Sequence, residues 1–380
     1  MPSLYIHIPF CEKKCLYCDF YSIENQSPME DFLSALHGEI DLYGSFGEGS
    51  TFQTVFFGGG TPSLLTPRQL ESILSHLRAV FHIDHEAEVT VETNPGTVTR
   101  EKLQAYRSLG VNRLSIGIQS FHDDELRFLS RIHNADQSVQ CVDFARQAGF
   151  GNIGIDLIFS LPGQSPARWQ DNLARSIALQ PEHISAYSLI VEDNTPLARL
   201  VASKQVSPNP LDEEAALYEL TMGVLIERGY EHYEVSNYAM PGFRSRHNYN
   251  YWNHENYLGF GPSAHSFWKQ EGTLSGRRWW NSASVSAYCQ KLFDRKPPLG
   301  SQEFIKAKEL MNERVFLGLR SDGLDLSELE KKYHVPWSDT QREVIQHLIN
   351  EKYAALEDHR LRLTSKGYLV CDEISERLLP

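Results

Sequence analysis

The chain has 380 residues and a formal net charge of −13 at pH 7, and 41% of its residues are hydrophobic. This composition is typical of a globular protein with a full-sized core. The acidic balance argues against general nucleic-acid binding, which needs surplus Lys and Arg. The sequence has neither a run of about 18 apolar residues nor a secretion-signal pattern, so we expect a cytoplasmic protein with at most peripheral membrane contact.

Short runs of β-branched or apolar residues alternate with helix-period segments through the first half of the chain. The runs span 4–8, 54–57, 88–92, 113–118, 153–159 and 183–189. Strands that alternate with helices predict an α/β fold with a parallel sheet, which is either open or curled into a partial barrel.

An unusual segment follows each of the first five predicted strands. These segments are CEKKC (11–15), GGGTPS (58–63), TNPG (93–96), QSF (119–121) and SLPGQ (160–164). Because the carboxyl ends of parallel strands meet at one edge of a sheet, the segments are expected to lie close together. Ligands of α/β proteins bind at this edge.

The pattern changes twice further along the chain. From about 195 to 300 it loosens into turns and aromatic residues, with a linker predicted at 294–300. Helices are predicted at 303–319, 325–333 and 338–351, with a hairpin at 360–370, which together resemble a winged-helix module. We divide the chain into a core domain (1–235), a connecting region (236–300) and a C-terminal domain (301–380). The acidic balance favours a structural or docking role for the last domain over that of a DNA-binding regulator.

Three cysteines lie close together after the first strand. Cys11, Cys15 and Cys18 have the spacing C-x3-C-x2-C. Three thiolates can bind three corners of a cubane iron–sulfur cluster and leave one iron open to an exchangeable small molecule. The alternative is a zinc site, which would need a fourth Cys or His, and His7 lies on the predicted strand. The other cysteines are predicted to be buried apolar thiols: Cys141, Cys289 and Cys371.

Other residues at the same edge of the predicted sheet each allow a structural and a ligand-binding interpretation. The glycines of GGGTP allow a ligand to approach the backbone closely, but they also suit a plain turn. Glu92 ends a buried-looking strand, where either a cationic ligand or a salt-bridge partner would relieve its desolvation. Gln119, Arg131 and Asp156 could be ordinary capping or paired groups. Their shared position favours a ligand site.

The segment CEKKCLYC, with an aromatic residue before the third Cys, resembles the cluster motif of radical S-adenosylmethionine (SAM) proteins. In that superfamily the methionyl group of SAM chelates the open iron, and one-electron reduction cleaves SAM. The resemblance implies a partial (βα)6 barrel and a [4Fe–4S] cluster bound by Cys11, Cys15 and Cys18. It also implies a SAM site lined by Tyr5, Tyr17, Gly59, Gly60, Thr61, Glu92, Gln119, Arg131 and Asp156.

Further segments resemble the coproporphyrinogen dehydrogenase-like branch of this superfamily: LYIHIPFCEKKCLYCDF, FFGGGTPSLL, VETNPGTV, RLSIGIQSF, IDLIFSLPGQ and HNYNYW. The dehydrogenases of this branch have a further Cys two residues after the third cluster ligand and an N-terminal extension. This chain has Phe20 there, and ten residues precede Cys11. HNYNYW (247–252) matches the H-N-x-x-Y-W motif of the heme chaperones of the branch.

The resemblance therefore implies a protein that binds heme and passes it to acceptors such as respiratory cytochromes. The alternative is a radical enzyme that decarboxylates coproporphyrinogen III oxidatively. His247 is the expected axial ligand of the heme iron, with His254 and His265 as alternative or second ligands. The neighbours expected to cover the macrocycle or orient the imidazole are Asn248, Tyr249, Tyr251 and Trp252. Cluster occupancy and SAM are expected to regulate heme transfer or formation of a homodimer.

Overall fold

The computed structural model describes residues 1–270 and 272–379. Its strands are β1 (Ser3–Ile8), β2 (Phe52–Gly59), β3 (Ile83–Thr93), β4 (Arg113–Gln119), β5 (Ile153–Phe159), β6 (His183–Ser188), β7 (Glu231–His232), β8 (Asn237–Ala239), β9 (Tyr257–Phe260), β10 (His265–Lys269), β11 (Gly276–Asn281), β12 (Leu299–Ile305), β13 (Leu324–Asp325), β14 (Ala354–Glu357) and β15 (Arg360–Leu363). Its α-helices are α1 (Met29–Leu42), α2 (Pro67–Val80), α3 (Arg100–Ser108), α4 (Asp123–Phe128), α5 (Ala135–Gln147), α6 (Pro166–Ala178), α7 (Pro196–Ala202), α8 (Leu211–Glu227), α9 (Arg246–Trp252), α10 (Val285–Phe293), α11 (Ala307–Leu319), α12 (Leu326–Tyr333), α13 (Asp339–Asn350), α14 (Ser365–Tyr368) and α15 (Cys371–Leu378).

Strands β1 to β6 lie side by side in chain order and run parallel to one another. The sheet does not close on itself, because β1 pairs with β9 on its other side and β6 pairs with β8. Helices connect the six strands and pack against one face of the sheet. The prediction of an α/β fold with a partial barrel is confirmed.

The two faces of these six strands differ in chemistry because side chains alternate between the faces along a strand. One set is apolar and packs with the helices into the main core: Leu4, Ile6, Val55, Phe57, Val89, Val91, Leu114, Ile116, Ile155, Leu157, Ile184 and Ala186. The alternate set is largely polar or aromatic: Tyr5, His7, Thr54, Phe56, Thr90, Glu92, Arg113, Ser115, Asp156, Ser185 and Tyr187. The second face is therefore suited to hold a polar ligand.

The connecting helices begin where the sequence provides caps. The Thr66 hydroxyl accepts a hydrogen bond from the Gln69 backbone amide, and the Gln69 side chain accepts one from the Thr66 amide. The Ser165 hydroxyl caps α6 by accepting a hydrogen bond from the Arg168 backbone amide. Capping residues followed by Pro at the first helical position fix where α2 and α6 start.

The segment from 195 to 300 is more regular than predicted. It contains the 17-residue helix α8, which has a weak apolar stripe, and the short strands β9 to β11 that extend the large sheet. The predicted linker overlaps β12, which pairs with β11, so the next helix begins at Ala307 and not at 303. β9 pairs with β1, which is distant in sequence, and β12 pairs with β11 across α10, so local patterns do not reveal these pairings.

The C-terminal region combines helices α11 to α15 with a small sheet in the order β13-β15-β14. The hairpin predicted at 360–370 is wrong in its bounds, because residues 365–368 are helical and β15 instead pairs with the preceding strand β14. A second hydrophobic cluster holds this region together and includes Val315, Leu319, Leu324, Leu361 and Leu378. No helix within the described ranges has the length and apolar character needed to cross a membrane.

Candidate functional site

The three clustered cysteines lie on the loop between β1 and α1, at the carboxyl end of β1. All are free thiols, and the backbone amide of Cys18 donates to the Cys15 carbonyl at 3.2 Å. Thr61 Oγ1 lies 3.5 Å from Cys11 Sγ, and Arg131 Nη1 lies 3.3 Å from Cys15 Sγ. These donors would stabilise the negative charge of thiolates bound to iron.

Three cysteine thiols on one loop are the type of donor that an iron–sulfur cluster takes. Across residues 1–270 and 272–379, no three His, Cys, Asp or Glu side chains are arranged around one metal position. A cubane binds each cysteine through a different iron atom, so its thiols need not meet at one point. The nearby thiols and burial together raise the pKa of Cys18 to about 11, with burial as the larger cause. A bound metal would offset this effect, since coordinated thiols lose their protons.

The glycine segment forms the end of β2 beside this loop. Gly59 has φ +109°, and a Cβ there would lie 2.6 Å from the His7 ring. A Cβ at Gly60 would lie 2.7 Å from the Phe10 carbonyl oxygen. Both positions therefore require glycine, and the backbone of β2 can approach the cluster loop because no side chain intervenes.

Polar side chains of β1, β3, β4, β5 and β6 line a recess on the face of the sheet opposite the connecting helices. We call this set the polar recess; it comprises Tyr5, Glu92, Arg113, Ser115, Asp156 and Tyr187. Glu92 Oε2 accepts a hydrogen bond from the Gly59 amide at 3.1 Å, and Ser115 donates to Asp156 at 3.2 Å. Burial raises the pKa of Glu92 to about 8, and the neighbouring Asp156 carboxylate adds to this rise. Two crowded carboxyl groups would favour a cationic ligand.

Arg131, Tyr17 and Gln119 lie at the border between the polar recess and the cluster loop. Arg131 Nη2 donates to the Gly117 carbonyl at 2.7 Å, while its buried Nε has no hydrogen-bond partner among the described residues. Gln119 has φ +70° beside a register shift between β4 and β5. An unpaired buried donor and a strained backbone are common where a ligand completes a site.

The structure thus brings all the residues expected for the cluster and SAM to one end of the sheet. Sequence reasoning missed other residues on the polar face of the sheet: His7, Arg113, Ser115 and Tyr187. His7 is held by Tyr5 OH at 3.1 Å and by the Tyr21 carbonyl at 2.8 Å. For His7, the signal that could have found it is its two-residue spacing from Tyr5, which places both side chains on the same face of β1.

A cavity of about 520 Å³ adjoins the polar recess at Tyr5. We call it the aromatic pocket after its rings, which are Tyr5, Phe20, Tyr21, Tyr251, Tyr257 and Phe267. Three imidazoles also line it, those of His7, His254 and His265. Its volume falls within the range of roughly 300–1,000 Å³ that is usual for small-molecule and cofactor sites.

His247 does not line the aromatic pocket and is only 1% exposed. Its Nδ1 lies 2.7 Å from Thr54 Oγ1 and its Nε2 lies 2.9 Å from Tyr251 OH. Burial lowers the pKa of His247 to about 3, so the ring is neutral. Thr54 precedes Gly59 by five residues on β2, which corresponds to about 16 Å along the strand. His247 therefore lies away from the strand end that carries Gly59, although its ring stacks on that of Tyr5 with centroids 6.4 Å apart.

The other residues of the HNYNYW motif form α9 and contact the C-terminal region. The Tyr249 hydroxyl donates to Asp322, and the Trp252 carbonyl accepts from Arg314 at 3.3 Å. The Asn248 backbone amide is bonded to the capping hydroxyl of Ser245. The motif thus joins the polar face of the sheet to the C-terminal domain.

Comparison with known proteins defines the class. A family model described as the radical SAM superfamily matches residues 5–175, and one described as the HemN C-terminal domain matches residues 305–370. The solved structure of coproporphyrinogen III oxidase (HemN) from Escherichia coli, a radical SAM enzyme, superimposes with a TM-score of 0.84. That alignment covers 100% of this chain and 90% of the other at 23% identity. Fold and family model together define a radical SAM protein.

Curated relatives narrow the class to one family. The heme chaperone HemW of Lactococcus lactis subsp. lactis is 34% identical, and the match covers 99% of this chain and 97% of that protein. Heme chaperone HemW of Bacillus subtilis is 35% identical, with 98% of each chain covered. The chain belongs to the family of HemW heme chaperones. The family resemblance inferred from the sequence motifs is confirmed.

Proposed function

We propose that this protein is a heme chaperone that binds heme, a [4Fe–4S] cluster and SAM, and that transfers heme to acceptor proteins. The observation that carries the proposal is the aromatic pocket of about 520 Å³ directly beside the cluster loop, in a chain of the HemW family. Aromatic rings suit the flat macrocycle of heme, and an accessible imidazole is one of the axial ligands that heme iron takes.

The cofactors have suitable ligands at the carboxyl ends of the strands. Cys11, Cys15 and Cys18 would hold the cluster, and Arg131 would balance its charge from 3.3 Å away from Cys15 Sγ. The cluster and SAM together supply one-electron chemistry when bound. Glu92 would accept hydrogen bonds from SAM, and Gly59 and Gly60 would let its methionyl group approach the backbone.

We expect the heme acceptors to be respiratory proteins that the acidic surface contacts transiently. Net charge of −13 favours basic partners, since opposite charges accelerate encounter. All six cysteines are free thiols, which is consistent with a reducing compartment such as the cytoplasm.

Direct transfer of heme can be tested kinetically. The reconstituted protein would be loaded with hemin and mixed with increasing amounts of the apo-form of a b-type cytochrome. A chaperone that docks with its acceptor should give a transfer rate that rises with acceptor concentration. A rate independent of acceptor concentration would mean passive dissociation and would contradict the proposal. The variant with Cys11, Cys15 and Cys18 changed to Ala tests whether heme transfer depends on the cluster. Cys141→Ala, which removes a cysteine far from the cluster loop in sequence, is its control.

The alternative function is oxidative decarboxylation of coproporphyrinogen III. The HemN-like fold favours it, but Phe20 replaces the additional cysteine expected for that activity. An anaerobic assay of SAM cleavage with coproporphyrinogen III decides between the two. Cleavage that depends on the porphyrinogen would support the enzyme, whereas its absence beside direct heme transfer would support the chaperone.

A further inference from the structure

The histidines in and near the aromatic pocket differ in whether their ring nitrogens are free. His247 and His7 each use both nitrogens in hydrogen bonds within the protein. His254 Nε2 lies 2.9 Å from Glu313 Oε2 without the geometry of a hydrogen bond, and its ring is 6% exposed and stacks on Phe267 with centroids 4.5 Å apart. An imidazole that is bonded at both nitrogens, or buried against another ring beside a carboxylate, must be released from these contacts before it can bind iron.

His265 has no such partner among the described residues. Its side chain is exposed and lines the aromatic pocket, and its ring stacks on Trp280 with centroids 5.4 Å apart and planes at 18°. Burial and the Arg278 charge lower the pKa of His265, which keeps the imidazole neutral at physiological pH. A neutral imidazole has the lone pair that an iron ligand needs.

The backbone that carries His265 is firmly anchored. The Gly261 amide donates to Glu39 Oε2 at 2.8 Å, and Asn281 Nδ2 donates to Glu39 Oε1 at 2.6 Å. The Asn281 amide also donates to the Ala264 carbonyl at 2.9 Å, next to His265. A ligand held on an anchored strand end retains its position when cargo enters and leaves.

The walls around His265 suit a flat apolar molecule. Tyr257 and Phe267 are register partners on β9 and β10, and Tyr5 contributes a further ring from β1. Phe20 is 67% exposed and lies in the lining on the cluster-loop side. An exposed phenyl ring at a pocket lined by other aromatic rings is typical of a binding surface for an apolar ligand.

We propose that heme binds in the aromatic pocket with His265 as the axial ligand of its iron, and that His247 is a buried packing residue of α9. This inference rests on the proposed heme-chaperone function and assigns its binding site. The iron accepts the lone pair of one His265 ring nitrogen, and no electron transfer or bond cleavage is required.

The test is a titration of the cluster-reconstituted full chain with ferric heme, followed by the Soret band. His265→Ala should weaken binding at least tenfold and should lose the spectrum of imidazole-bound heme. Added imidazole should restore that spectrum, because the truncated side chain leaves room for a free ligand. Since His265 is exposed, the variant is expected to fold.

Two variants serve as comparisons. His247→Gln retains a polar group for Thr54 and Tyr251 and should bind heme with little change in affinity. His85→Ala, whose wild-type side chain is 91% exposed on β3, controls for loss of a surface histidine. Wild-type affinity in His265→Ala would overturn the assignment of the site, whatever His247→Gln does, and would leave the chaperone function intact. Failure of the wild-type protein to bind heme saturably would overturn both.

Discussion

Glu39 is a buried carboxylate on α1 to which three donors from distant segments converge. The Gly261 amide and the Tyr288 hydroxyl lie 2.8 and 2.6 Å from its Oε2, and Asn281 Nδ2 lies 2.6 Å from its Oε1. Burial raises the pKa of Glu39 to about 7, although these hydrogen bonds act in the opposite direction. The side chain therefore fixes the segment before His265 and titrates near neutral pH.

Substitution of Glu39 by Gln should have a pH-dependent effect on stability. The pKa is about 7 in the folded protein and about 4.5 in the unfolded chain, so the stabilising contribution of protonation is present below pH 4.5 and is lost as the pH rises through 7. The loss of unfolding free energy in Glu39→Gln should be larger at pH 5 than at pH 8 by about 2.5 kcal/mol. Urea denaturation at both pH values measures it.

The matched control for this effect is Glu71→Gln, which changes an exposed carboxylate on α2. Its unfolding free energy should change little at either pH. If Glu39→Gln lost the same free energy at pH 5 and pH 8, the assigned titration of Glu39 would be wrong.

At the level of single elements, the end of β2 depends on glycine for two separable reasons. Gly59 has φ +109° and also faces the His7 ring, whereas Gly49 has φ +79° and a Cβ added there would meet no atom within 4 Å. His7 cannot move aside freely, because Tyr5 and the Tyr21 carbonyl hold both of its nitrogens. Substitution of Gly49 therefore tests backbone strain alone, whereas substitution of Gly59 tests backbone strain and a steric clash together.

Gly59→Ala should lower the free energy of unfolding by about 2–4 kcal/mol, since strain and overpacking add. Gly49→Ala should lower it by about 1 kcal/mol, because only the left-handed backbone is penalised. Chemical denaturation of the two variants compares them directly. Equal losses would show that the His7 ring moves aside without cost.

The elements were predictable from sequence where local pattern determines them. The first six strands were located from apolar runs, and α6 from the spacing of Trp169, Leu173 and Ile177. β9 to β12 were missed because their sequences lack a continuous apolar run, and most of β12 is exposed. The grouping of Cys11, Cys15 and Cys18 was predictable because their spacing is local, whereas Arg113 and Tyr187 were missed because only the folded sheet brings them to Glu92.

At the level of the whole molecule, the buried apolar side chains form two main hydrophobic clusters. The main cluster lies between the sheet and its helices, and the second holds the C-terminal region. Arg244 links the parts, since its guanidinium contacts both Glu231 and Asp322. The domain boundaries at 235 and 300 remain predictions, and β12 shows that residues 299–305 pair with the large sheet.

A substitution that creates a cavity in one hydrophobic cluster should destabilise that cluster and leave the other folded. Leu361→Ala, in the second cluster, should cost about 2–5 kcal/mol and reduce hydrogen-exchange protection in residues 305–379 while leaving β4 protected. Leu114→Ala, in the main cluster, should reduce protection of β4 and its neighbours. Uniform loss of protection along the chain in Leu361→Ala would mean that the molecule unfolds as a single unit.

The central position of β1 has a consequence for tolerated changes of chain length. Its six residues alternate between the core side chains Leu4 and Ile6 and the side chains Tyr5 and His7 of the polar face, and the strand leads directly to Cys11. An inserted or deleted residue within β1 would exchange the two faces. It would place aliphatic groups on the polar face and tyrosine against the helices. Loops elsewhere can lengthen, but this strand must keep its residue count for all of the proposed sites to persist.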